Sequence, residues 1–221
     1  MVRRVPLFRD FSDAEAEAVL STVATRRYGR HELILHERDL GDAFYLIASG
    51  SVAVSRTLTD GREAILSILK DGEFFGEMSM FDSSLRSASI RTLTDVEVGM
   101  IRQDDFLEML ERNPSLASRF VVVLSERLRA ANELVTMATS QDVRARVASL
   151  LLTLCERFGQ PNDSGIRIGL RLTHQEMANM IGTTRETVNR TLNRFWDERI
   201  IDRRTTQLII VDKEKLQALI N

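Results

Sequence analysis

The chain has 221 residues, 43% apolar and 28% charged, with a formal net charge of −2. That length fits one large or two small domains with a real core, and the composition is that of a globular protein. No apolar run reaches the roughly 18 residues of a membrane span, and the start, with Arg3, Arg4, Asp10 and Asp13, lacks a signal-peptide pattern. A single cysteine, Cys155, excludes internal disulfides, cysteine-rich zinc sites and multi-cysteine iron–sulfur cages.

The expected setting is therefore cytoplasmic, with no membrane partner. Charge is uneven along the chain. From Asp142 onward there are 13 Lys and Arg against 10 Asp and Glu, which leaves 17 against 22 for the rest. Most of the basic residues are Arg, whose planar fork suits phosphates and base edges.

In chain order, Ser12 with Glu15 reads as a capping box for a helix over 12–22, with Ala14, Ala18 and Val19 as its apolar positions. After Tyr28–Gly29 the pattern turns to strands. Glu32–His36, Ala43–Ala48, Ser51–Thr57, Glu63–Leu69, Ser87–Leu93 and Val96–Ile101 are short and partly alternating, with Asp60–Gly61 as a hairpin signal. Glycines at 41, 50, 61, 72, 76 and 99 punctuate the run as in an all-β barrel or sandwich. A helix follows at Asp104–Glu111.

Pro114 then opens a long helix to Ala138. Steps of four and three from Ala117 reach Val121, Leu124, Leu128, Ala131, Val135 and Ala138, all apolar, as in the seam of a parallel dimer. Leu116, Phe120 and Val123 form a second stripe beside it. A helix with two apolar faces packs on its own domain and on something else, most simply its twin.

Helix resumes at Asp142–Phe158, with Val143, Val147, Leu150, Leu151 and Leu154 as its buried face and Cys155 beside them in the core. Gly159–Gly165 reads as an exposed loop and Arg167–Leu170 as a strand. Two helices broken at Gly182, a β pair around Gln207–Val211 and a helix over Lys213–Ile220 complete the chain. The expected class is α+β: a β-roll over 1–112, a dimerisation helix over 113–138 and a winged helix-turn-helix over 139–221.

Within that last part, Thr173 with Glu176 forms a capping box, and Ala178, Gly182 and Val188 have the spacing of two closely crossing helices. Thr183 with Glu186 offers a second box. Val188, Leu192 and Phe195 make the buried stripe of the second helix, leaving Arg185, Glu186, Asn189, Arg190, Asn193 and Arg194 around it. Arginine suits guanine O6/N7 and glutamate suits cytosine N4 in the major groove. Two roles are open to Glu186, a groove contact or a helix cap. Thr173 and Thr184, at the helix starts, complete the candidate DNA-binding set, and Arg203, Arg204 and Thr205 would form a wing touching phosphates.

Earlier in the chain, Gly76–Glu77–Met78 is followed by Arg86–Ser87–Ala88. A cyclic nucleotide carries a phosphate charge, a ribose 2′-hydroxyl and a base. Gly76 permits close approach, Glu77 can accept from the hydroxyl, Arg86 offers a fork to the phosphate, and Ser87 and the Ala88 amide add donors. The alternative is a structural Glu77–Arg86 ion pair in a barrel without ligand. His31, His36 and His174 are too dispersed for a metal or haem site, so no metal is expected. A cupin-like enzyme would need histidine pairs that this chain lacks.

These segments resemble the CRP/FNR superfamily of bacterial transcription regulators over about residues 7–215, almost the whole chain. Gly76 to Ala88 resembles the family's phosphate-binding cassette, and Arg185–Glu186–Thr187–Val188–Asn189–Arg190 is similar to the recognition helix of the cyclic-AMP-dependent branch. The resemblance implies a non-enzymatic homodimer that binds double-stranded DNA at a TGTGA-like palindrome and bends it, with cAMP as effector. It implies a weaker ligand contact at Ser67, a residue near the ligand at Arg127, and an RNA-polymerase-contacting surface at Phe158–Gly165. The chain departs from the pattern in two places. The segment between Glu77 and Arg86 is one residue shorter, and Ala131 and Asn132 stand where Thr and Ser hold the adenine amino group. Asn132 can still bond a base edge, whereas Ala131 cannot. A family member active without any small molecule is the alternative reading.

Overall fold

A computed structural model describes residues 5–9, 11–82, 84–140, 142–204 and 207–220, with the side chains at 18, 82, 138, 140, 203 and 204 outside the description. The chain divides into two units, Met1–Ala130 and Ala131–Asn221.

The first unit opens with a 3₁₀ turn at Pro6–Phe8 and α1 (Asp13–Thr22). The expected capping box is present, with Ser12 Oγ accepting from the Glu15 amide and Glu15 accepting from the Ser12 amide at 2.8 Å. Of the expected apolar positions Val19 is buried, but Ala14 is exposed and Ala16 is buried in its place. The side chain of Ala18 lies outside the description.

Eight strands follow: β1 (Ala24–Tyr28), β2 (Leu33–Leu35), β3 (Ala43–Ser49), β4 (Ser51–Thr57), β5 (Glu63–Lys70), β6 (Phe74–Phe75), β7 (Ser89–Thr92) and β8 (Val96–Arg102). They form two antiparallel sheets ordered β1-β8-β3-β6 and β2-β7-β4-β5. Strands β1 and β6 were not expected. Thr25, Arg26 and Arg27 of β1 are all exposed, so it lacks the alternation that marks a half-buried strand, and its pairing with β8 makes it a strand.

Strand β3 shows why both faces matter. Phe44 and Leu46 point into one core with Phe74, Met80 and Ile101, together with Phe106 of α3 (Gln103–Arg112) and Leu116 and Phe120 of α4 (Pro114–Ser140). Ala43, Tyr45 and Ile47 point into the other, with Val52, Leu69, Phe75, Ile90 and Val98 from both sheets. Successive strand side chains face opposite ways, and β3 is buried on both sides. Of the two stripes on α4, Leu116 and Phe120 are buried in this core and Val123 packs against it. Val121, Leu128 and Val135 are exposed, while Leu124 is half-buried against the β-unit's core. Ala138 lies outside the described side chains.

The second unit contains α5 (Val143–Phe158), β9 (Gly159–Asn162), β10 (Gly165–Ile168), α6 (His174–Ile181), α7 (Arg185–Asp197), β11 (Ile201–Arg204), β12 (Gln207–Ile210) and α8 (Lys213–Ala218). Asp142 caps α5 through the Ala145 amide at 2.7 Å. Val147, Leu150, Leu151, Leu154 and Cys155 are buried, and Val143 is half-buried. The segment expected as a loop is instead a hairpin, β9 against β10, in a sheet ordered β11-β12-β10-β9. Gln160 of β9 accepts from Arg167 of β10, a cross-strand contact that no local pattern encodes.

Candidate functional site

Gly76 and Glu77 follow β6, a five-residue helix α2 (Met78–Asp82) comes next, and Arg86 precedes β7. The Arg86 backbone is held on both sides, its amide donating to the Asp39 carbonyl and its carbonyl accepting from the Arg38 amide, each at 2.8 Å. Its side chain is turned inward and only 5% exposed. Nη1 donates to the Gly76 carbonyl at 2.7 Å and to Ser79 Oγ at 2.9 Å, and Nη2 donates to the Ala43 carbonyl at 2.9 Å. Among the described residues Nε is buried without a partner.

Among the described residues every acceptor on this guanidinium is neutral. Burial therefore pulls the Arg86 pKa below its ordinary value, against the opposing charges of Tyr45, Asp42, Glu77 and Asp39. A buried cation with an unused donor and no carboxylate in direct contact fits an anion such as a phosphate.

The structural ion pair considered as the alternative for Glu77 and Arg86 is absent. Glu77 is buried, but its partner is Arg127 of α4, whose Nη1 donates to Oε1 at 2.8 Å. Arg127 Nη2 reaches the Phe74 carbonyl, and its guanidinium lies 4.3 Å from the Phe74 ring centroid. Gly76, Glu77, Arg86 and Arg127 thus form one cluster. Gly76 has φ +85°, and a Cβ there would lie 2.9 Å from Arg86 Nη1, so close approach is its role.

The remaining candidates stand apart from that hydrogen-bonded cluster. Ser87 is exposed with its hydroxyl directed to Met78 Sδ, Met78 is itself exposed, and Ala88 is half-buried. Ser67 is half-buried on β5, opposite Val54. Ala131 and Asn132 are exposed on α4, in the second unit. Ser79 was missed from the sequence. Its signal was one polar residue inside an otherwise apolar Met78–Met80–Phe81 run.

In the second unit, Thr173 caps α6 with Glu176 closing the box. Gly182 ends α6 in the left-handed conformation, φ +64°, with its amide bonded to the Ala178 carbonyl. Ala178, Val188, Leu192 and Phe195 are all fully buried, the close crossing their spacing demands. The expected Thr183–Glu186 box does not form. Thr184 caps α7 instead, accepting from the Thr187 amide at 3.2 Å, and Glu186 falls one position before the reciprocal partner.

Glu186 is therefore not the cap, and it is exposed with Arg185, Asn189, Arg190 and Arg194, while Asn193 is half-buried. The starts of α6 and α7 border one groove of about 480 Å³, lined by Leu172, Thr173, His174, Gln175 and Arg185. Amide-rich helix starts and an arginine side chain suit backbone phosphates. His174 and Gln175, which directly follow the capping threonine, were not among the expected DNA-binding residues. Of the expected wing residues, Arg203 and Arg204 lie on β11 with their side chains outside the description, and Thr205 lies outside the described residues.

Comparison with known proteins agrees with both halves. Residues 25–113 match the cyclic nucleotide-binding domain, and residues 145–219 match the Crp-like helix-turn-helix domain. The chain is 35% identical to the cyclic AMP receptor protein of Thermus thermophilus, over 89% of this chain and 88% of that one. It is 31% identical to a CRP-like cAMP-activated global transcriptional regulator of Mycobacterium tuberculosis, over 98% and 96%. Among solved structures it is similar to the c-di-GMP responsive global regulator CLP of Xanthomonas campestris, with a TM-score of 0.76 at 26% identity, covering 88% and 96%. These relatives are regulators and not enzymes. With a nucleotide-binding β-roll, a long helix and a helix-turn-helix in that order, the chain belongs to the CRP/FNR family of transcription regulators.

Proposed function

We propose that this chain is a homodimeric, DNA-binding transcription regulator gated by a cyclic nucleotide, with cAMP as effector and a TGTGA-like palindrome as site. The observation that carries the effector reading is Arg86, a buried cation whose Nε has no partner among the described residues and whose bonded acceptors there are all uncharged. A phosphate supplies the missing acceptor and the missing charge together. Glu77 receives the ribose hydroxyl, since Arg127 engages Oε1 and a carboxylate has a second oxygen. Ser67, Ser87, the Met78 and Ala88 backbone and Asn132 complete the ligand contacts.

Residues 1–112 form the nucleotide module, 113–138 the dimerisation helix and 139–221 the DNA module, in which Thr173, Thr184, Arg185, Glu186, Asn189 and Arg190 touch DNA. RNA polymerase is the partner at the 158–165 hairpin. Support for cAMP comes from the Thermus and Mycobacterium relatives, and for a different cyclic nucleotide from CLP.

The test is a titration of purified protein with cAMP, cGMP and c-di-GMP, reading binding to a TGTGA-N6-TCACA duplex. Stimulation by cAMP alone is expected, and Arg86→Ala is expected to abolish it while weak non-specific DNA binding remains. Unchanged cAMP affinity in Arg86→Ala by calorimetry overturns the assignment. A second reading, a regulator active without effector, is favoured by the Glu77–Arg127 pair, in which the chain itself supplies a counter-charge for Glu77. Full operator affinity in nucleotide-stripped protein decides for it.

A further inference from the structure

We propose that Ser79 is a positioning residue for Arg86, its buried hydroxyl fixing which edge of the guanidinium meets a nucleotide's phosphate. The proposal rests on reading Arg86 as the phosphate ligand. A guanidinium has five N–H groups. Both on Nη1 are used, by the Gly76 carbonyl and Ser79 Oγ, and one on Nη2 is used by the Ala43 carbonyl. What remains is Nε–H and one Nη2–H, donors on one guanidinium for the oxygens of a phosphate.

Two of the three acceptors are main-chain carbonyls, which side-chain identity does not supply. Ser79 is the single side chain among them. It is 2% exposed, so no water competes for the bond. Gly41 approaches the pair closely: a Cβ there would lie 2.2 Å from Ser79 Oγ and 2.6 Å from Arg86 Cζ and Nε. The serine–arginine pair therefore packs between α2 and the backbone at Gly41. A hydroxyl is also the right chemistry. It takes one N–H and leaves the positive charge whole, whereas a carboxylate there would neutralise the cation before any phosphate arrived.

The experiment measures affinity of the full chain for cAMP and for its two phosphorothioate diastereomers, each of which replaces a different non-bridging oxygen by sulfur. A fixed fork distinguishes the diastereomers, and a loosened one does not. Ser79→Ala is expected to weaken cAMP about tenfold, the size of one lost hydrogen bond to a charged group. It is also expected to shrink the ratio between the diastereomers. Ser79→Cys, similar in size but a poor acceptor, is expected to do the same and serves if the alanine variant does not fold. Native-like affinity in the variants, or an equal loss on both diastereomers, overturns the positioning role. Failure of the native chain to bind any of the three ligands overturns the phosphate reading of Arg86 and this proposal with it.

Discussion

Arg127 of the long helix donates to Glu77 of the β-roll at 2.8 Å, across 50 residues of sequence. The pair is mostly buried, with side-chain exposures of 30% and 8%, and Arg127 also caps the Phe74 carbonyl. It joins the segment after β6 to α4.

Removing one member leaves the other carrying an uncompensated buried charge. Arg127→Ala is expected to destabilise the fold by roughly 2–4 kcal/mol, because Glu77 then keeps its charge out of water without a partner. Arg127→Ala with Glu77→Gln is expected to recover part of that loss. Urea unfolding of the two variants checks it, and a double variant no more stable than the single one would refute the coupling.

Val121, Leu128 and Val135 are exposed at 60%, 64% and 65%, so a substitution among them touches little within one chain. Leu128→Asp is expected to turn a dimer into a monomer in sedimentation equilibrium, and to lower palindrome affinity steeply. Its effect on the unfolding of the isolated monomer is expected to stay within about 0.5 kcal/mol, as for most surface changes. A variant that still sediments as a dimer would place the interface elsewhere.

On α7, Arg185 and Thr184 do different work. Arg185→Ala is expected to cost about 1–3 kcal/mol of specific binding and to relax preference at one guanine, leaving stability unchanged. Equal loss on scrambled DNA would make Arg185 a phosphate contact only. Thr184→Ala removes the cap on the Thr187 amide and is expected to cost about 1 kcal/mol of stability.

Glu37 is buried yet paired, accepting from the Thr57 amide at 3.2 Å and from Arg56 at 3.0 Å. The Thr57 amide above all, and then Arg56, hold its carboxyl below the ordinary glutamate value of 4.5. A depressed folded-state pKa means the contribution is complete above that ordinary value and is lost as pH falls through the folded one. Glu37→Gln is therefore expected to lower the melting temperature at pH 7 and to converge with the native protein in strong acid. A gap that is constant with pH would show that the charge of Glu37 contributes nothing.

Local chemistry made several elements readable in advance. Capping at Ser12 and Thr173, the Ala178–Gly182–Val188 spacing and the apolar repeat on α4 act over a few residues, so their signals survive in a single sequence. Strand β1 and the β9–β10 hairpin escaped because pairing across 60 or more residues, or a partner strand, made them strands. The sequence by itself also put Glu77 and Arg86 in one short segment, as two contacts to one ligand or, in the alternative, as an ion pair with each other. Only the tertiary structure separated them. It gave Glu77 to Arg127 and surrounded Arg86 with neutral acceptors, because burial forces each charge to find whatever partner the fold brings within reach.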